Sequence, residues 1–297
     1  MKKHSIVAIF LLLIFLIPSD AYSQFFNTSQ QWKQRRHEIG FGAGLTNFRG
    51  DLAVVNRNTG KLFLFDIEHR LFRHGLSLDY RYNISQRQAL KASFFHGQVV
   101  GDDQYAQDIY RNYRNLSFKS NIYEFLLAYE YFILRPKSGA LYNIQEADGF
   151  KNRRWEWSLL AGAGFFYFNP RAEGENLREM STEGQGLPGG APAYSPFAFS
   201  LAFGSALYYN INKNYKIGIE YSYRFTNTDY IDDVSTVYYD KEIIRQAKGD
   251  KAAFLSDRSS GENPNWTATG QQRGDPNNND GYFSILFKLF YTFDKRR

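Results

Sequence analysis

The segment from Tyr282 to Phe293 constrains the fold more than any other stretch of the chain. Phe283, Ile285, Phe287, Leu289, Tyr291 and Phe293 share one side of a two-residue period, while Ser284, Lys288 and Thr292 fall on the other with Leu286 and Phe290. A period of two is a β-strand. A strand that carries a continuous apolar face with aromatic ends, this close to the C-terminus, matches the closing strand of a transmembrane β-barrel.

Seven further segments alternate in the same way, near 37–48, 75–84, 89–100, 116–132, 155–168, 196–209 and 215–226, and 282–293 makes eight. Each is long enough for a tilted crossing of the hydrocarbon layer, which takes about 9–11 residues. The connections alternate too. Residues 85–88 and 210–214 make short turns, whereas 49–74, 101–115, 169–195 and 227–280 are long. Short turns on one side and long loops on the other predict an all-β fold: an eight-stranded antiparallel transmembrane β-barrel with long extracellular loops. The connection from Leu134 to Arg154 is too long for a turn and implies a short periplasmic structure. A soluble β-sandwich or lipocalin-like barrel would show water its polar face. Here that face is glycine-rich, and Tyr and Trp gather at the strand ends of the apolar face, as they do at membrane interfaces.

The N-terminus agrees. Lys2, Lys3 and His4 precede an apolar run from Ile6 to Ile17, Pro18 breaks it, and Ala21-Tyr22-Ser23 supplies a cleavage signal. Residues 1–23 read as a secretory signal peptide and 24–297 as the barrel, with both mature termini periplasmic in the outer membrane. The chain has no cysteine, which excludes disulfides, thiolate metal sites and a lipoprotein anchor.

Charge sorts by predicted compartment. Glu38, Asp79, Arg81, Lys91, Glu124, Glu130, Glu156, Lys216, Glu220, Arg224 and Lys288 all take the inward parity of their strands, whereas Lys119 sits outward near the outer rim. Lys or Arg on the lipid face at mid-bilayer costs about 2–4 kcal/mol. An eight-stranded barrel is just wide enough for side chains to fill, so these eleven are expected to form a paired polar plug rather than a channel lining. On the periplasmic side three basic clusters, Lys33/Arg35/Arg36, Lys151/Arg153/Arg154 and Lys295/Arg296/Arg297, share one rim with Trp32, Trp155 and Trp157. Such a rim suits anionic lipid headgroups, and it equally suits an acidic periplasmic partner. Nucleic acid is not a candidate in this compartment.

Other motifs have plainer readings. Arg49-Gly50-Asp51 is an adhesion tripeptide or, more simply, a glycine turn leaving a strand. The carboxylates at Asp102, Asp103, Asp229, Asp232 and Asp233 could gather Ca²⁺, but loop hydrogen bonds explain Asp in such runs equally well. His96 shares the outward face with Phe94, without a conspicuous Ser or acid aligned beside it. The stretch 227–280 ends polar and loose, over 259–264 and 274–281, and needs partners to order fully; it carries a weak helical period over 240–254 and suits a lid over the barrel mouth.

Taken in order, Glu38-Ile-Gly-Phe-Gly-Ala-Gly44 running on to Gly50-Asp51-Leu52, then Tyr80-Arg-Tyr82-Asn83, Gly101-Asp-Asp103, Arg114-Asn-Leu-Ser-Phe118, Phe168-Asn-Pro170, Thr182-Glu-Gly-Gln-Gly186 and Thr228-Asp-Tyr-Ile-Asp-Asp-Val-Ser235 span nearly the whole mature chain. In these residues the sequence resembles the PorG-like outer-membrane barrels of the type IX secretion system. The resemblance implies a non-enzymatic component of protein secretion and gliding motility, without cofactor, metal or catalytic residues. Its expected partners are membrane lipids and the periplasmic ring of PorK-like lipoprotein and PorN-like subunits. The alternatives are a lipid-modifying barrel enzyme and a small-solute porin or structural barrel.

Overall fold

The computed structural model describes residues 31–53, 69–136 and 154–293. The predicted signal peptide, the stretch 137–153 and the last four residues lie outside them.

Eight long strands carry the fold: β1 His37–Arg49, β2 Arg73–Asn83, β3 Gln88–Asp102, β4 Ser117–Leu134, β5 Trp155–Ala172, β6 Phe197–Asn210, β7 Tyr215–Thr226 and β8 Gly281–Thr292. Each pairs antiparallel with its neighbours in sequence, and β1 pairs with β8, so the sheet closes as an up-and-down barrel. Closure pairs the strands within the sheet and leaves no open edge, which the hydrocarbon layer demands. β3 and β5 run past their predicted outer ends, to Asp102 and Ala172, and β4 runs past its predicted periplasmic end, to Leu134. At the top of β5 the chain turns through Glu173 and Gly174, both at positive φ, and pairs back on itself at Glu175–Asn176.

The alternation has the predicted sense. Phe287, Phe199, Leu78 and Phe125 stand 58–67 % exposed on the outside, and Trp155 and Trp157 sit at the periplasmic end of the same face. An apolar belt this large, around a closed sheet, is a surface for lipid. Phe283 departs from the pattern. It faces outward as expected, but Phe72 and Tyr221 pack over it and leave it buried.

Two inward glycines show how the interior is filled. A Cβ at Gly40 would meet the Phe290 ring at 2.5 Å, and one at Gly218 would meet the Tyr208 ring at 2.4 Å. Missing side chains on β1 and β7 thus admit large rings from β8 and β6.

Candidate functional site

The lumen holds the strongest constellation of charged groups. All eleven residues expected inside are there, none more than 4 % exposed. Nine of them form one connected network. Lys216 Nζ bridges Glu38 and Glu156, at 3.0 Å from each. Glu38 continues to Arg81 at 2.9 Å, and Arg81 to Glu130 at 2.6 Å. Lys91 joins Glu130 at 3.0 Å to Glu220 at 2.6 Å. Lys288 joins Glu220 at 3.5 Å to Asp79 at 2.7 Å. The remaining two, Arg224 and Glu124, pair separately at 3.1 Å, and Ser200 donates to the same carboxylate.

Two members were not anticipated. Arg135 lies just past the end of β4, in the connection expected to be periplasmic. Its guanidinium instead turns under the barrel and reaches Glu38 at 3.3 Å and Glu156 at 3.8 Å. It stacks on the Phe132 ring at 4.0 Å. With it the lumen holds six cations against six carboxylates. Tyr208 accepts from Arg81 at 2.8 Å and donates to Glu220 at 3.0 Å, crossing the lumen between two arms of the network. Burying this much charge is tolerable only because each carboxylate meets a cation.

The polar plug does not fill the whole interior. Towards the outside the lumen turns apolar, with Phe95, Phe118, Phe166, Phe168, Tyr282 and Leu286 in one buried cluster. Arg224 marks the border, with its guanidinium 4.9 Å above the Phe95 ring. The same cluster continues upward through Leu52, Leu177, Ile231, Val234 and Leu255 into the outer loops. The stretch 227–280, expected to need partners to order fully, folds on the barrel as a packed cap, and the helical period expected over 240–254 is realised as helix. Two helices in it, Lys241–Lys248 and Asp250–Ser256, bury Ile244, Ala252, Ala253 and Leu255.

The cap is pinned by the motif residues singled out in the sequence. Arg114 forks onto Asp103 at 2.7 and 2.9 Å. Asp232 accepts from the backbone N–H of Leu52 and of Val234, both at 3.0 Å. Glu183 accepts from the Ser235 N–H at 2.9 Å and from Arg273 at 2.9 Å. Asp233 accepts from Thr182 and Tyr194. Arg49-Gly50-Asp51 is the glycine turn. Ala53 closes it onto the Gly50 carbonyl, and Asp51 accepts from the Asp275 N–H at 2.7 Å. Among the described residues no group of three or more His, Asp or Glu is arranged to hold a metal ion.

Burial sets unusual acidities in this cap. It pushes Asp229 up to about 8, with the nearby Asp51 charge adding to the shift. It pushes Asp233 up to about 6 against the pull of the Arg273 guanidinium. Asp232 and Asp280 stand well above the usual carboxylate range through burial and the like charges around them.

At the periplasmic rim Lys33 is exposed and Arg35 and Arg36 are half-buried. Arg36 lies over the Trp32 ring at 4.9 Å and donates to the Tyr82 hydroxyl at 2.9 Å. Arg154 donates to the Tyr209 hydroxyl at 3.0 Å. Lys151, Arg153, Lys295, Arg296 and Arg297 lie outside the described residues. His96 faces outward, stacked on Tyr123 at 4.6 Å and 5.6 Å from the His74 ring, and its Nδ1 has no hydrogen-bond partner among the described residues.

A family described as a domain of unknown function, DUF6089, matches residues 21–136. No curated protein matches the chain. Among solved structures the chain is similar to Neisserial surface protein A, at 8 % identity over 86 % of this chain and 97 % of that one, TM-score 0.38. It is similar to Ail, the attachment invasion locus protein of Yersinia pestis, at 12 % identity over 87 % and 99 %, TM-score 0.38. The outer membrane protein OprG from Pseudomonas aeruginosa matches at 9 % identity over 87 % and 97 %, TM-score 0.37.

Proposed function

We infer that this barrel is a non-enzymatic outer-membrane component of the type IX secretion and gliding machinery, a fixed body against which a periplasmic ring is held. One observation carries the reading: the lumen is closed twice, by a charge-balanced plug and by a packed aromatic layer beneath a folded cap. A body stiffened in this way suits an anchor better than a conduit. The motif residues of the PorG-like resemblance support the same reading, because they build the cap rather than a reactive centre.

The ring contact is assigned to the basic periplasmic rim, where attraction between unlike charges would orient an acidic partner. Arg36 and Arg154, braced on Tyr82 and Tyr209, hold two of these charges at the membrane boundary. The test is charge reversal. Arg153→Glu, Arg154→Glu, Arg296→Glu and Arg297→Glu together should abolish recovery of the PorK-like and PorN-like subunits with the tagged barrel, while heat-modifiable gel mobility reports normal insertion. Undiminished recovery from a correctly inserted variant rejects the contact.

A further inference from the structure

The outward wall of β3, β4 and β5 changes character in four cross-strand rows. Phe125 faces Phe165, Tyr123 faces Tyr167, Asn121 faces Asn169, and Lys119 faces Arg171. The rows climb from the lipid belt to the outer rim at about 6.6 Å per two residues. Lys119 and Arg171 stand directly opposite each other on one face, both exposed. Like charges in that position are destabilising unless something answers them.

Nothing among the described residues answers them. Neither Lys119 nor Arg171 has an ion pair or a side-chain hydrogen bond among the described residues. The carboxylates nearest along the chain already have cations. Glu173 pairs with Arg258 and Glu175 with Lys251, each at 3.3 Å. The row below is donor-rich as well. Gln98 donates to the Asn121 carbonyl at 2.9 Å, so the Asn121 amide is left to present its N–H groups.

We propose that Lys119 and Arg171, with Asn121 below them, bind the phosphate of a phosphorylated glycolipid in the outer leaflet. A phosphate takes charge-assisted hydrogen bonds from guanidinium and ammonium together. The apolar rows underneath decide the source of that phosphate. A ligand on the cations continues downward over Tyr123 and Tyr167 onto Phe125 and Phe165, which only a molecule with acyl chains can follow into the bilayer. A soluble acidic protein touches the charges but not the belt. The proposal rests on the membrane orientation of the barrel and is independent of its role in secretion.

The full-length barrel, purified in mild detergent, is titrated with diphosphoryl lipid A and with lipid A stripped of both phosphates, and native mass spectrometry counts the bound lipid. The wild type should bind the diphosphoryl form and barely bind the stripped one. Lys119→Gln with Arg171→Gln should weaken binding about twenty-five-fold, from about fivefold per cation beside an anionic headgroup. Lys119→Arg with Arg171→Lys should keep it. Both variants lie on the exposed wall, and heat-modifiable mobility checks their fold. Equal binding of the stripped lipid, or unchanged binding by the neutral double variant, overturns the site.

Discussion

Arg224→Met tests whether the lumen is held by paired charge. Arg224 is buried and is the only cation paired with Glu124 among the described residues, at 3.1 Å. Removing it leaves a buried carboxylate without its cation, beside the Ser200 hydroxyl at 2.5 Å. Breaking a buried pair from one side costs about 3–5 kcal/mol, and this site belongs at the upper end. Arg81→Met is the comparison. It strands Glu38 and Glu130, but Glu38 keeps Lys216 at 3.0 Å and Glu130 keeps Lys91 at 3.0 Å. Its cost therefore belongs at the lower end, about 3 kcal/mol. Arg224→Met with Glu124→Gln removes the orphaned charge and should recover stability to within about 1 kcal/mol of wild type. The assay is urea unfolding in phospholipid vesicles, followed by fluorescence of Trp155 and Trp157, which face the lipid, with linear extrapolation to water. A single variant within about 1 kcal/mol of wild type, or a double variant no better than the single, refutes the reasoning.

The cap should respond to pH in a set direction. Asp229 and Asp233 hold their protons in the folded cap up to about 8 and about 6, above the usual aspartate value near 3.9 in an unfolded chain. The stability they add is complete below that unfolded value and is lost as pH rises through 6 and then 8, so the cap opens more readily at pH 9 than at pH 5. Hydrogen exchange at the Leu52, Ile231 and Val234 amides, corrected for intrinsic rate, reads this, and Asp229→Asn should flatten the upper step. The doubly closed lumen predicts no resolvable single-channel steps in a planar bilayer, and porin-sized steps would contradict the plug. Gly218→Val drives a side chain into the Tyr208 ring and should lower refolding yield, whereas Ala at the exposed Lys213 turn position should leave it unchanged.

The strands were legible because two different solvents read the two faces of each one. Lipid outside and ion pairs inside force alternation, and parity alone placed Glu38, Arg81 and Lys91 in the lumen. Parity also held the signal for the aromatic upper layer, since Phe95, Phe166, Phe168 and Tyr282 take the inward positions. The inward charges on the same strands mask that signal, because they make the whole interior read as polar. Arg135 escaped because it lies past the end of its strand, where period two no longer speaks. The cap escaped for a different reason. Many of its bonds join residues far apart, as when Leu52 meets Asp232 or Asp51 meets Asp275, and both of these run between a side chain and the backbone. No local pattern encodes such a bond, and a stretch rich in Asp, Asn and Gly reads as loose until its partners are in place.

The use to which the cap puts its acids bears on where a partner can bind. Both oxygens of Asp232 accept backbone N–H groups, both oxygens of Asp103 take Arg114, and Glu183 is divided among Arg273, Ser235 and Thr236. A carboxylate committed in this way has no capacity left for a metal ion or a ligand without unfolding the loop it holds. The motif residues Asp103, Glu183 and Asp232 therefore specify a shape. Recognition has to fall to groups with no such internal duty. On the membrane wall those are Lys119 and Arg171. On the periplasmic side the candidates are the rim cations that hold no loop in place, with Arg36 and Arg154 braced on the Tyr82 and Tyr209 hydroxyls at the bilayer edge. Reversing the rim should release a ring and leave bound glycolipid in place, and neutralising the wall should do the opposite. If either substitution removed both ligands, the two surfaces would not be separate and the barrel itself would have been damaged.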